Sequence, residues 1–184
     1  DATKATLTAK ADAVVTIDVS GAKSDSNGWT LVGGSGTGDD VLKGGAAADI
    51  ITGGAAADTI TGNGGADTIT GGTGDDIITG GTGNDIITVD AGKDTVLDLG
   101  GSGGSESDVV IVNSGATLDA TGIAGFTATN VTTNKSTDAT KATLTAKADA
   151  VVTIDVSGAK SDSNGWTLVG GSGTGDDVLK GGAA

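Results

Sequence analysis

Seven aspartates, Asp40, Asp49, Asp58, Asp67, Asp76, Asp85 and Asp94, stand nine residues apart without a slip. A small-residue turn precedes each, and a short apolar triplet follows. From residue 35 to 97 the chain reads SGTGDDVLK, GGAAADIIT, GGAAADTIT, GNGGADTIT, GGTGDDIIT, GGTGNDIIT, VDAGKDTVL. Glycine in the first half of each unit permits the left-handed backbone that most side chains forbid. The triplet is a strand too short to survive alone, with its middle residue inward: Leu42, Ile51, Ile60, Ile69, Ile78, Ile87 and Val96.

This pattern fits the nonapeptide G-G-x-G-x-D-x-U-x, which winds a parallel β-helix around calcium. Two nonapeptides make one coil, so turns on the same side recur every 18 residues and coils stack at ~4.8 Å. The spacing predicts two columns of carboxylates: Asp40, Asp58, Asp76 and Asp94 on one edge, Asp49, Asp67 and Asp85 on the other. Carboxylates this close repel unless a cation lies between them. Calcium, with six to eight oxygen ligands at ~2.3–2.6 Å, suits paired carboxylates and turn carbonyls. Gaps between neighbours predict at least five ions. An aspartate closing a Gly-rich turn can also simply cap backbone N–H groups, but seven in register favour the metal.

Composition excludes other chemistry. The 24 acidic and 10 basic residues leave a net charge of −14, which argues against nucleic acid and anionic membranes as partners. With no Cys and no His, disulfides and thiolate or imidazole metal sites are excluded. No apolar run approaches the ~18 residues that cross a bilayer, and no leader peptide is evident, so the chain is expected to be soluble or held at a surface from outside. Catalysis is not expected: the single glutamate, Glu106, lies in a Gly/Ser stretch, and paired aspartates occur only as rungs. The segment 34–38, GSGTG, lacks the Lys-Ser/Thr of a phosphate loop.

A second repetition overlies the first. Residues 138–184 duplicate residues 1–47 letter for letter, so Asp177 is Asp40 again and Trp166 is Trp29 again. The natural reading is a window cut from a tandem array of 137-residue units; an engineered overlap is the alternative. Four segments are expected: a β-rich lead 1–34, the calcium roll 35–97, a β-rich segment 98–137 after a Gly/Ser insert, and the second copy 138–184. In the insert's wake, Asp108 precedes a strong strand over 109–112 and is a candidate eighth rung. Further strands are predicted over 116–120, 126–132, 142–146, 150–157 and 166–169. They either continue the solenoid with calcium-free turns or form a small sandwich; continuation is favoured because residues 29–34 run into the first nonapeptide without a linker.

These residues resemble the haemolysin-type calcium-binding repeat (RTX) family, and the Thr/Ala/Val-rich flanks, such as 113–121, are similar to RTX surface-layer proteins of Gram-negative bacteria. The resemblance implies an all-β fold, a right-handed parallel β-roll flanked by calcium-poor solenoid or sandwich segments, folding triggered by extracellular calcium, and type I secretion. It also implies the metal ligands: the side chains of the seven aspartates and Asp177, with turn backbone near Gly36, Gly38, Gly65, Gly74, Gly83 and Gly92. Ala47 and Ala56 replace the fourth-position glycine, so their turns are expected to bind more weakly. The turn at Val89 is the expected end of the metal column.

Two functions fit: a self-assembling surface layer, sheath or filament, or the stalk of a calcium-stiffened adhesin. Expected partners are other copies of the chain and a cell-surface polysaccharide; the expected location is the surface of a Gram-negative-type bacterium. The threonines at 52, 61, 70, 79 and 88 are read as β-formers rather than an ice-binding face, because equivalent turns break the array. Ile50, Ile77 and Ile86 are expected to face outward.

Overall fold

The computed structural model describes residues 4–22, 27–100, 106–114, 116–123, 126–127, 133–134, 142–146, 153–156, 165–170, 172 and 176–181. Their regular structure is entirely β, and every strand pairing is parallel.

Consecutive strands alternate between two sheets. The first holds, in order, β1 (Ala5–Thr8), β3 (Trp29–Val32), β5 (Ile50–Ala55), β7 (Thr68–Thr73), β9 (Ile86–Val89), β11 (Val109–Val112) and β14 (Thr133–Asn134). The second runs from β2 (Thr16–Asp18) through β4 (Val41–Lys43), β6 (Thr59–Gly64), β8 (Ile77–Thr82), β10 (Gly92–Val96), β12 (Ala116–Ile123) and β15 (Ala142–Ala146) to β17 (Trp166–Val169). A third, short sheet joins β13 (Phe126–Thr127), β16 (Thr153–Asp155) and β18 (Val178–Lys180). Each strand therefore pairs with the strand one coil away, not with its neighbour in sequence. That is the β-roll: the strands outside the nonapeptides wind in the same parallel manner.

Register follows from the nine-residue repeat. On the first sheet Leu31, Ile51, Ile69, Ile87 and Val110 stand opposite one another, coil upon coil. On the second, Leu42, Ile60, Ile78, Val96, Ala120 and Leu144 do the same. All of these are fully buried in one continuous apolar cluster. A strand side chain has period two, so a slip of one residue would put every aliphatic in water. Branched side chains in a single file also fill the thin interior without large rings, which the sequence hardly supplies.

The outer faces alternate Ile and Thr. Thr30, Ile50, Thr68 and Ile86 form one outward column, and Val32, Thr52, Thr70 and Thr88 the next. Ile50, Ile77 and Ile86 are exposed. Trp29 lies partly buried against the core, its ring over Gly45. Of the strand read over 126–132, residues 126–127 form β13 and the remainder lies outside the described residues.

Candidate metal centre

Each aspartate closes a turn and enters a strand on the opposite sheet. Asp40, Asp58 and Asp76 precede β4, β6 and β8, and Asp94 lies in β10, all on the second sheet; Asp49, Asp67, Asp85 and Asp108 precede β5, β7, β9 and β11 on the first. All eight are buried, at 1% exposure or less.

Hydrogen bonds tie each column together. The Asp40 amide donates to Asp58 Oδ1 at 2.7 Å, Asp58 to Asp76 at 2.8 Å, and Asp76 to Asp94 at 3.0 Å. On the other edge Asp49 donates to Asp67 at 2.7 Å, Asp67 to Asp85 at 2.8 Å, and Asp85 to Asp108 at 2.8 Å. Asp108 thus occupies a rung despite the insert, 23 residues from Asp85 instead of 18. The first column stops at Asp94 because Leu118 pairs with it from the next coil. Upstream, no aspartate donates to the first rungs; the Val15 amide takes that place at Asp40 and the Trp29 amide at Asp49.

One oxygen of each carboxylate is consumed in this way; the other divides the rungs into two classes. Oδ2 of Asp40, Asp49 and Asp108 accepts from the amides of Gly34, Gly45 and Gly100, each at 2.6 Å. Oδ2 of Asp58, Asp67, Asp76, Asp85 and Asp94 is buried with no hydrogen-bond partner. An unsatisfied carboxylate oxygen out of water is costly. It demands a proton or a cation.

Within the nonapeptides, backbone geometry divides the rungs in the same way. In the turns of Asp58, Asp67, Asp76 and Asp85, the second and fourth residues have positive φ: Gly54 and Ala56, Asn63 and Gly65, Gly72 and Gly74, Gly81 and Gly83. Gly92 does so in the turn of Asp94. Gly36, Gly38, Gly45 and Ala47 do not, and there the amide of Gly34 or Gly45 turns onto the carboxylate. The two alanine turns therefore part company. Ala56 is held at φ 77° in the conformation of its glycine neighbours, whereas Ala47 escapes it.

The turns are cradles without room for side chains. A Cβ on Gly53 or Gly62 would fall on the turn's own carboxylate Oδ2 and on the carbonyl oxygen of Gly71 or Gly80 in the next coil. Oxygen atoms from two coils thus converge on the same small space. Among the described residues no three acidic side chains gather at one point, so a metal held here takes its ligands beyond the paired carboxylates from turn carbonyls. The Val89 side chain is buried where the five preceding units have their leading glycine. Asp177 is half-buried, and its Oδ2 sits 3.0 Å from the Cβ position of Gly170, as Asp40 Oδ2 does from that of Gly33.

Burial pushes the carboxyls of Asp58, Asp76, Asp85 and Asp94 up to about 6 and Asp67 to about 7. The backbone amide on Oδ1 opposes this. Neighbouring carboxylates add to the rise, Asp76 and Asp40 at Asp58, and Asp85 and Asp49 at Asp67. Asp108 is raised for the same reason and is pulled back by two backbone amides, those of Asp85 and Gly100. A divalent ion would reverse the sign of this field.

A second ladder, at the residue before each rung, was not apparent in the spacing. Asp39, Asp75 and Asn84 accept from the amides of Ala57, Lys93 and Ser107 one coil on. Its signal is a polar acceptor at the fifth position of three nonapeptides, where the others have alanine or, in the last, Lys93. Asn63 adds a further tie, its side-chain amide donating to the Gly44 carbonyl at 2.8 Å.

Comparison with curated proteins and with solved structures returns no match. The family model of the RTX calcium-binding nonapeptide repeat (4 copies) matches residues 34–69 and 61–96. Those matches span the buried rungs Asp40 to Asp94. Calcium is the metal these nonapeptides bind, its preference for oxygen donors meeting the unpartnered carboxylate oxygens and turn carbonyls. Residues 34–96 are thus RTX calcium-binding nonapeptide repeats.

Proposed function

We propose that this chain is a stretch of a secreted, calcium-fastened structural protein, built from tandem 137-residue units that assemble at a bacterial surface. The observation that carries the calcium dependence is the file of five buried carboxylate oxygens without partners. Without metal, the folded chain must protonate or desolvate these groups for the sake of a thin aliphatic core. Binding energy then becomes folding energy. Six neighbouring pairs of rungs are available, three in each column, from Asp40 to Asp94 and from Asp49 to Asp108. We assign the ions first to the gaps whose carboxylates both keep a free oxygen: Asp58 with Asp76, Asp76 with Asp94, and Asp67 with Asp85.

The letter-for-letter duplication supports a repetitive, non-enzymatic role in which length is the useful quantity. Outward Ile50, Ile77 and Ile86 support lateral packing between copies. Calcium removal is the direct test: EDTA should abolish the β circular dichroism and shift the Trp29 fluorescence, and excess calcium should restore both. An unchanged spectrum in EDTA would sink the calcium dependence. Electron microscopy of the calcium-loaded protein tests assembly separately. Ordered sheets or bundles support it, whereas monodisperse rods favour an adhesin stalk.

A further inference from the structure

The second copy of the duplicated sequence does not return to the sheets of the first. β1 and β3 pair in the first sheet, while their copies β15 and β17 pair in the second. β2 and β4 pair in the second sheet, and their copies β16 and β18 in the third. Local register is kept throughout: Ala5 faces Trp29 and Leu7 faces Leu31, as Ala142 faces Trp166 and Leu144 faces Leu168. Likewise Thr16 faces Val41 as Thr153 faces Val178. The same pairs of strands have moved on by one sheet.

The cause lies between β12 and β15. Within the roll, neighbours on one sheet are separated by a single strand on the other, as β11 separates β10 from β12. Among the described residues two strands, β13 on the third sheet and β14 on the first, intervene before β15 settles beside β12. A coil of three strands instead of two changes the parity of the winding. Here the register also slips between Ala120 and Ile123, where the β12–β15 pairing moves from Leu144 to Ala146. The junction is nonetheless well packed: Leu144 and Ile123 are fully buried.

We propose that this junction steps the winding on by one sheet per 137-residue unit, so that identical outward side chains of successive units face different directions around the roll axis. The inference rests on the tandem-array reading above. A winding of constant phase would show each repeated patch on one side of a ribbon. The stepped winding presents it in turn around the axis, so that other copies of the chain meet the same surface from more than one side.

Cysteine pairs test the junction, since the chain has no cysteine of its own. In-register parallel partners lie within the Cα separation that a disulfide spans. In calcium, Asp119→Cys with Thr143→Cys should close a disulfide on oxidation, seen as a reducible gel shift, because these residues are paired. Ile111→Cys with Thr143→Cys should not, because Ile111 pairs with Thr133 on the other sheet. Closure of the second pair, or failure of the first, overturns the proposal. Thr52→Cys with Thr70→Cys, paired inside the roll, must close in the same experiment. Its failure would instead count against the calcium roll itself, and so separates the two readings.

Discussion

The amide of Asp58 donates to Asp76 Oδ1 at 2.8 Å, across one coil, and leaves Oδ2 of both residues buried with nothing to bond. This single relationship joins the backbone ladder to the metal chemistry. One oxygen sets the stacking, and the other is left for a cation. Asp76 also receives no relief from its far neighbour, because Asp94 Oδ2 is equally bare.

The rungs should therefore be unequal. Asp76→Asn touches two gaps, towards Asp58 and Asp94, and should remove two ions by calorimetric titration. Asp40→Asn should remove one at most, since Gly34 already occupies Asp40 Oδ2. Equal losses at the two positions would contradict the two classes of turn.

Acidity should act in opposite directions with and without metal. The folded carboxyls of Asp58, Asp67, Asp76, Asp85 and Asp94 sit at about 6 to 7, above the ordinary 3.8. Their contribution to the metal-free fold is thus fully present below pH 3.8 and is lost as pH rises through 6 to 7. In EDTA, β circular dichroism should increase on acidification from pH 8 to 4. Calcium affinity should fall over the same range, because protons compete for the same oxygens. A metal-free signal that declines on acidification would contradict the burial of these groups.

Ala56 is the one rung-turn alanine with left-handed backbone, at φ 77°. Ala56→Gly should raise stability by about 1 kcal/mol by relieving it. Gly83→Ala should do the reverse, by about 1–3 kcal/mol from the backbone alone. Its φ is 128°, and the new Cβ would meet the Gly65 carbonyl. Urea unfolding in saturating calcium measures both.

Core and face should respond differently to the same truncation. Ile69→Ala opens a hole in the file between Ile51 and Ile87 and should cost about 2–5 kcal/mol. Ile50→Ala, at an outward position 42% exposed, should stay within about 0.5 kcal/mol in the isolated protein. If copies pack laterally through this face, Ile50→Ala should weaken assembly while leaving the unfolding midpoint in place.

Much of the fold was legible because a nine-residue period leaves few alternatives. A branched aliphatic two residues after each aspartate has one inward place on a short strand, and 18 residues bring it back above itself. Asp108 was legible as a candidate from the strand after it, although the insert hides its spacing. The two classes of rung were not legible. Gly45 and Gly54 occupy the same place in their nonapeptides, and both are followed by three alanines. Only the backbone shows that Gly45 turns its amide onto Asp49 while Gly54 takes φ 116°.

The sequence by itself determined the roll, the two carboxylate columns and the metal, since local spacing dictates which side chains share an edge. Tertiary structure alone decided which carboxylate oxygens are already spoken for, because that depends on whether an amide within the turn points inward or away. It also decided on which sheet each copy of the duplicated segment lies. Identical letters carry no record of how many strands the chain has wound before them, and the extra strand between β12 and β15 is a property of the whole path.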